Sequence, residues 1–431
     1  MSLTAGNSLT SGGNTYTVIK LLGAGGQGEV YCVKDNSGRE YALKWYFPHT
    51  ATDAQKYILN KLVVQGSPDP CFLWPLDFIT DGKLFGYIMP LRPNNYKSII
   101  DMVKRRAEPS FLTLCKVGFN LTNGYQKLHS KGYSYRDISF GNLFFDENSG
   151  DILICDNDNV SADGDPKCES GVYGTPRFMA PEIVRGEAKP SRNTDRYSLA
   201  VLLFYMFMMN HPLEGKLEYD IHCMDINAQN KLFGFKPLFI FDPVNASNRP
   251  VPGYQDNALE FWPIYPKYLQ DLFTKSFTDG LKDPAKRITE PEWMDAFANM
   301  ISSVFKCPHC GADLFYDPAK ADAGEPHVCW YCKKNTNPPA VMNLKKQFCL
   351  MEKDRKVFSH QIHRDGDIET IIGTVVSNPN DPTQIGLRNE TQDNWTYIRT
   401  DGTQIPVPPS RSAKIATGCS IKFGTETGVF R

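Results

Sequence analysis

The sequence has no long hydrophobic run. The longest, residues 199–209, is 11 residues, where a membrane-spanning helix needs about 20, so no transmembrane segment is expected. It also lacks a surplus of either charge, with 47 Lys and Arg against 48 Asp and Glu and a formal net charge of −1. A chain whose main task is gripping nucleic acid needs extra cations for the phosphates. That class is disfavoured, although a local basic patch stays open. The opening residues MSLTAGNSLTSGGNT contain no basic stretch leading into an apolar one, so no secretory signal is expected and the cytoplasm is the expected location. No fixed-period repeat or low-complexity tract is present.

What is present is length, 431 residues, which at roughly 150 per domain suggests about three domains. Twelve cysteines are unevenly spread. Cys32, Cys71, Cys115, Cys155, Cys168, Cys223, Cys349 and Cys419 are scattered and read, in a reducing compartment, as small core hydrophobes or free thiols. Cys307, Cys310, Cys329 and Cys332 instead form two CxxC pairs separated by 18 residues. That spacing can bring four thiolates to one tetrahedral Zn²⁺, with Gly311 easing the turn after the first pair. Four thiolates close the shell, so the ion is expected to be structural. Redox-active dithiols are the alternative. A nucleic-acid-binding ribbon would draw on Lys333, Lys334, Lys345 and Lys346, the only nearby cluster of charge.

Residues 16–46 read as strands around a glycine-rich turn, with NSG as a hairpin turn. The pattern turns helical over 98–131, short apolar strands return at 143–145 and 152–155, and helical signals dominate 180–303 apart from the Pro- and aromatic-rich stretch 234–266. NTNPP at 335–339 reads as a linker. From 341 to 431 short β-type segments (ETIIGTVV, TYIRT, SIKFG) alternate with turn clusters, which predicts a small all-β domain.

Gly23-Ala24-Gly25-Gly26-Gln27-Gly28 lies between two strand-like runs. Glycines let backbone amides approach a polyphosphate closely, since no Cβ intervenes. The pattern alone also fits a dinucleotide fold or an ordinary turn. A dinucleotide fingerprint needs a helix directly after the glycines, whereas a second strand follows here, and Tyr41-Ala42-Leu43-Lys44 then supplies a lysine on the next. Downstream come Tyr135-Arg136-Asp137-Ile138-Ser139-Phe140-Gly141-Asn142, a short strand ending in Asp156, and Gly174-Thr175-Pro176-Arg177-Phe178-Met179-Ala180-Pro181-Glu182.

In that order the motifs make residues 16–303 resemble a protein kinase, of the kind called eukaryotic-like in bacteria. The resemblance implies an α+β, two-lobed fold with a small lobe over 16–91 and a large lobe over 92–303. It implies that Gly23, Gly25 and Gly28 cover ATP phosphates and that Lys44 holds the α- and β-phosphates. Asp137 would orient the acceptor hydroxyl and take its proton, while Asn142 and Asp156 would hold Mg²⁺. Val30 and Ala42 would sandwich the adenine against a hinge at Met89-Pro90-Leu91-Arg92. Because Pro90 has no N–H, adenine would use its carbonyl and the Arg92 amide. Thr175 and Glu182 would belong to the peptide-docking end of the activation segment. Asp195 and Arg287, the latter paired with Glu182, would be folding residues.

Several positions depart from the family pattern. Gln55 stands where the helix glutamate that pairs the strand lysine is expected, and no Glu occurs between Glu40 and Glu108. A neutral amide there can still bond Lys44 but loses the charge-assisted share. Tyr135 replaces the usual His, and Ser139 replaces a lysine that would stabilise the transferring phosphoryl group. The D-F-G triplet is Asp156-Asn157-Asp158. Either acid could be the metal ligand, and Asp156 is favoured because it directly follows the apolar strand. These losses define a rival reading, a pseudokinase acting as a nucleotide-binding scaffold. Against it, Lys44, Asp137, Asn142 and Asp156 are all retained. A third reading is a zinc-ribbon nucleic-acid-binding protein with a vestigial kinase lobe.

The GTPxxMAPE stretch resembles a Ser/Thr-type docking loop, so serine or threonine is the expected acceptor. Arg136 beside Asp137 suggests control by a phosphorylated activation segment, whose hydroxyls are Ser161, Ser170, Tyr173 and Thr175. After a zinc ribbon at 304–338, residues 341–431 resemble a degenerate forkhead-associated β-sandwich. Thr374 occupies the position of that module's phosphate-binding arginine, and a plain docking sandwich fits equally. The whole order, with the stretch 237–250, resembles the kinase component of tellurite-resistance-type phosphorylation triads. That implies, besides protein substrates, a PP2C-type phosphatase and a von Willebrand-type metal-binding protein as partners.

Overall fold

Six antiparallel strands open the chain in the computed structural model, which describes residues 2–162, 172–345 and 347–431, with the backbone alone at residue 382. They are β1 (Ser8–Ser11), β2 (Asn14–Ala24), β3 (Gly28–Lys34), β4 (Glu40–Tyr46), β5 (Asp77–Asp81) and β6 (Leu84–Pro90), in the order β1-β2-β3-β4-β6-β5. Alternate residues share a face: Tyr16, Val18, Tyr31, Val33, Leu43 and Trp45 form one core with Leu9, Ile79 and Ile88. On another, Ala42, Tyr46, Phe85, Tyr87 and Met89 pack with Leu59 from helix α1 (Asp53–Gln65). The Asp35 carboxylate accepts the amides of Ser37 at 2.8 Å and Arg39 at 2.9 Å, closing the β3–β4 turn at the NSG sequence. Helix α1 begins where Thr52 Oγ1 accepts the Gln55 amide at 3.2 Å and stops at Gly66, φ 71°.

The chain continues through β7 (Tyr96–Ser98), α2 (Ile99–Val103), α3 (Phe111–Ser130), β8 (Tyr133–Ser134), β9 (Leu143–Asp146), β10 (Ile152–Ile154), β11 (Ser161–Ala162), α4 (Pro181–Val184) and α5 (Arg192–Met208). A capping box between Ser191 and Thr194 starts α5, and residues 199–208, all of the sequence's apolar run but Met209, are buried in it.

Thr194 and Asp195 at the head of α5 are buried too. His129 lies between two carboxylates, with Nε2 3.1 Å from Asp195 and Nδ1 2.9 Å from Glu290, and Arg196 Nε adds a 2.9 Å bond to Glu290. Both ring nitrogens therefore donate. Burial opposes the imidazolium, but the two carboxylates prevail and raise its pKa to about 9 from an ordinary 6.5, while Glu290, despite burial, is lowered to about 2 by His129 and Arg196. His129 thus contributes stability that is full below pH 6.5 and lost as pH rises through about 9. Glu290 contributes above its ordinary 4.5 and loses it as pH falls through about 2. The melting temperature is expected to fall between pH 6.5 and 9, and His129→Gln to flatten that limb, which thermal melts across this range would measure.

Contacts divide the chain into two compact units, the second comprising Ser110–Lys116, Pro263–Leu269 and Met294–Arg431. In it, two short hairpins, β12 (Val304–Lys306) with β13 (Asp313–Phe315) and β14 (His327–Val328) with β15 (Asn335–Thr336), carry the four clustered cysteines. Asn335 and Thr336, expected in a linker, instead pair with Val328 and His327, and Thr336 Oγ1 donates to the His327 carbonyl at 3.1 Å. Asn337, Pro338 and Pro339 stay outside the ladder.

Two sheets then pack face to face. One has the order β17-β16-β25-β24-β21-β22, from β16 (Ala340–Asn343), β17 (Phe348–Met351), β21 (Trp395–Ile398), β22 (Gln404–Val407), β24 (Ser420–Phe423) and β25 (Glu426–Phe430). The other is β18-β19-β20-β23, from β18 (Lys356–Phe358), β19 (Ile371–Asn378), β20 (Asp381–Asn389) and β23 (Ser412–Lys414). Val375, Leu387 and Ala413 of the second sheet meet Trp395, Ile421 and Phe430 of the first in one core, the packing of a sandwich. Val341 and Leu350 also join Phe305, Leu314 and Tyr316 around Cys307 and Cys329. A hairpin pair this small cannot bury a core of its own and borrows one from its neighbour strands.

Candidate active site

Between β2 and β3 the chain reverses through Gly25-Gly26-Gln27, with the Gly25 amide donating to the Gly28 carbonyl at 2.9 Å. A Cβ at Gly28 would stand 2.2 Å from the Trp45 carbonyl oxygen, so β3 and β4 approach this closely only on glycine; at Gly23 and Gly25 it would meet nothing within 4 Å. The register pairs Gly23 with Val30, Val30 with Lys44, and Ala42 with Met89. Val30, Ala42, Met89 and Leu91 consequently belong to one apolar cluster. Pro90 ends β6. Arg92 is exposed, its guanidinium 4.0 Å from the Phe144 ring centroid and bonded to the Tyr96 carbonyl at 3.0 Å.

Lys44 is 5% exposed. Its Nζ lies 2.8 Å from Asp158 Oδ2, 2.9 Å from Gln27 Oε1 and 3.4 Å from Asp156 Oδ1. Burial works against the ammonium charge, yet Asp158 and Asp156 outweigh it and hold the pKa above its ordinary value. Gln55 makes no hydrogen bond to Lys44, the bond the sequence left open to it: its amide nitrogen donates to the Asp158 carbonyl at 2.8 Å and to the Tyr46 hydroxyl at 3.2 Å. Tyr46 in turn donates to Asp158 Oδ2. The two acids of the altered triplet thus part company. Asp158 has no exposed surface, whereas the Asp156 side chain is 43% exposed on a left-handed residue, φ 51°.

Asp195 of α5 accepts the amides of Tyr135 at 2.6 Å and Arg136 at 2.9 Å, which fixes the loop that carries Asp137. Thr175 Oγ1 donates to Asp137 Oδ1 at 2.6 Å, and Asn142 Nδ2 donates to the Asp137 carbonyl at 2.8 Å. The Cys155 amide bonds the Asn142 carbonyl at 2.9 Å, so Asn142 and Asp156 sit side by side at one end of the β9–β10 hairpin. Tyr135, where histidine was expected, donates its hydroxyl to the Cys155 carbonyl and ties the same two segments together. Glu182 receives Arg287 Nη1 and Nη2 at 2.8 Å each, a bidentate pair with the arginine buried. Ser161 is buried and Tyr173 exposed; Ser170, Cys168 and Lys346 lie outside the described residues.

The sequence singled out Lys44, Asp137, Asn142, Asp156 and Thr175. It missed Gln27, Tyr46 and the part played by Asp158. One signal for Asp158 was available: a buried lysine needs an anion, and the only acid of helix α1 is Asp53 in its first turn, two residues before Gln55.

A second constellation lies in the other unit. The Sγ atoms of Cys307, Cys310, Cys329 and Cys332 all fall within 4.8 Å of one another, with Cys307–Cys332 at 3.8 Å and Cys310–Cys329 at 3.7 Å. Disulfides need about 2.05 Å. Four sulfurs about 2.3 Å from a tetrahedral zinc stand about 3.8 Å apart, so the donor set fits that ion. Gly311, φ 78°, and Lys333, φ 60°, make the equivalent left-handed turn after each pair, their amides donating to the Cys307 and Cys329 carbonyls at 2.9 Å.

Comparison with known proteins bears on the first constellation. The family model described as protein kinase domain matches residues 16–298. Among curated proteins, the chain is 26% identical over 215 residues to the cell cycle serine/threonine-protein kinase CDC5/MSD2 of Saccharomyces cerevisiae, covering 47% of this chain and 29% of that protein. It is 26% identical over 239 residues to the serine/threonine-protein kinase PknD of Chlamydia abortus, covering 48% and 25%. With human ribosomal protein S6 kinase alpha-1 the identity is 30% over 214 residues, covering 47% and 28%. The chain therefore spans between a quarter and a third of the length of these relatives. By the extent of the family match and the motifs gathered around Lys44 and Asp137, the chain belongs to the protein kinase family.

Proposed function

We propose that this chain is an ATP- and Mg²⁺-dependent protein kinase that transfers the γ-phosphate to serine or threonine of itself or of protein partners. The observation that carries the reading is the grouping of Asp137, Asn142 and Asp156 at the end of one hairpin, with Lys44 3.4 Å from Asp156. Phosphoryl transfer asks mainly for positioning and charge neutralisation. Lys44 and the amides around Gly23, Gly25 and Gly28 hold the phosphates, and Val30, Ala42, Met89 and the Arg92 amide hold the adenine. Asp137, steadied by the Thr175 hydroxyl, orients the acceptor and takes up its proton. Asn142 and Asp156 offer the oxygen donors Mg²⁺ prefers; when bound, that ion neutralises phosphate charge. Ser139 supplies no cation, so the protein's own charge stabilisation rests on Lys44.

The same proposal divides the chain into a kinase domain at 16–303, a zinc ribbon at 304–338 in which Cys307, Cys310, Cys329 and Cys332 hold one structural Zn²⁺, and a β-sandwich at 341–431. The sandwich, of degenerate forkhead-associated type, recruits partners. Thr374 faces Arg388 across the strands, and Arg388 already pairs with Glu390 at 2.7 Å, which favours docking over phosphate reading. A cytoplasmic phosphorylation triad, with a PP2C-type phosphatase and a von Willebrand-type metal-binding protein, is the setting that the order of modules suggests. Phosphoamino-acid analysis after incubation with γ-labelled ATP and Mg²⁺ tests the acceptor class. Label is expected in phosphoserine or phosphothreonine, and label confined to phosphotyrosine would refute it.

A further inference from the structure

The helix carboxylate that should neutralise the strand lysine is missing, yet Lys44 is buried and carries an anion beside it. We propose that Asp158 is the positioning residue that replaces that carboxylate, so that Lys44 is aimed from the segment after Asp156 and not from helix α1. The proposal rests on the kinase reading of the same cleft.

A lysine 5% exposed stays charged only beside a desolvated partner, and Asp158, fully buried at 2.8 Å, is its nearest carboxylate. Asp156 stands further away at 3.4 Å and is open to the cleft. Gln55, at the helix position of the lost glutamate, grips the Asp158 backbone, and Tyr46 grips its carboxylate. The middle residue of the triplet is anchored as well: buried Asn157 donates to the carbonyls of Leu73 at 2.9 Å and Ile154 at 3.0 Å. Each side chain of Asp156-Asn157-Asp158 therefore has a separate task, and the loss of D-F-G is matched by the loss of the helix glutamate. An anion carried on helix α1 would come and go with that helix. Here the anion sits two residues from Asp156, in the 3-10 turn Asn157–Asn159, so the lysine clamp and the cleft acid are ordered as one local piece.

The test is a double-mutant cycle on the full chain, reading both the affinity for ATP with Mg²⁺ and the rate of phosphate transfer. Asp158→Asn is expected to weaken ATP binding about 10-fold and to slow transfer about 10²- to 10³-fold, as losing one preorganised charge contact does. Adding Lys44→Met should then cost nothing beyond Lys44→Met alone. The exchange variant Gln55→Glu with Asp158→Gly, which puts the carboxylate back on the helix, should return the rate to within about 10-fold of wild type, while Asp158→Gly alone stays low. Multiplying effects of Asp158→Asn and Lys44→Met, or an exchange variant no better than Asp158→Gly, would overturn the proposal in favour of a packing role. Should Asp158→Asn fail to fold, the exchange variant decides. A wild type that binds ATP without transferring phosphate sinks the kinase reading, and the affinity cycle still reports whether Asp158 acts through Lys44.

Discussion

Asp137→Asn is expected to lower kcat by about 10²- to 10⁴-fold, the range over which a positioned general base contributes, while ATP affinity and melting temperature stay close to wild type. The substitution keeps the side-chain shape and one carbonyl oxygen. Thr175 can still donate to that oxygen, and the Asn142 bond to the Asp137 backbone carbonyl is untouched. The loop itself is fixed from elsewhere, through Asp195 and the amides of Tyr135 and Arg136. What disappears is the second carboxylate oxygen, which on the proposed reading takes the acceptor's proton. Rates measured over a range of ATP concentrations separate the two effects. A rise in KM with kcat preserved would mean that Asp137 binds substrate and does not act as the base.

The second large effect is expected from the cysteines. The purified chain should hold one zinc, and Cys329→Ser should abolish stoichiometric zinc and unfold the segment around the two hairpins. Structural zinc in small modules supplies an apparent stabilisation of about 10–16 kcal/mol near neutral pH, far beyond what two short hairpins provide. Cys329 and Cys307 are buried in the core that Phe305, Leu314, Tyr316, Val341 and Leu350 complete, so the damage should reach β16 and β17. Elemental analysis of the wild type and the variant, with proteolysis to map the loosened residues, measures it. Zinc absent from a folded wild type would remove the metal from the account.

Much of this was legible in one sequence because the signals are local. The glycine turn between strands, the NSG hairpin, the apolar run that became α5 and the alternating segments of the sandwich each follow from residues close in the chain. The pair of Glu182 with Arg287 came through the family resemblance. The pair of Lys44 with Asp158 did not, because 114 positions separate the two and the family pattern points to the helix for the partner. Gln55 was placed correctly on α1, but the direction of its amide depends on Tyr46 and Asp158, which no local rule connects. His129 drew no notice, since a histidine near a helix end is unremarkable until Asp195 and Glu290 converge on it. Asn335 and Thr336 looked like linker by composition, and only pairing with β14 made them a strand. β1 escaped for a similar reason: its SLTS sequence is short and polar, and its partner β2 defines it.

The central claim is that the cleft transfers phosphate. Wild type, Lys44→Ala and Asp137→Ala, incubated side by side with γ-labelled ATP, Mg²⁺ and a generic serine/threonine substrate, test it directly. The account predicts label transferred by wild type and background levels from both variants. Equal labelling by wild type and Asp137→Ala, at whatever level, would contradict it.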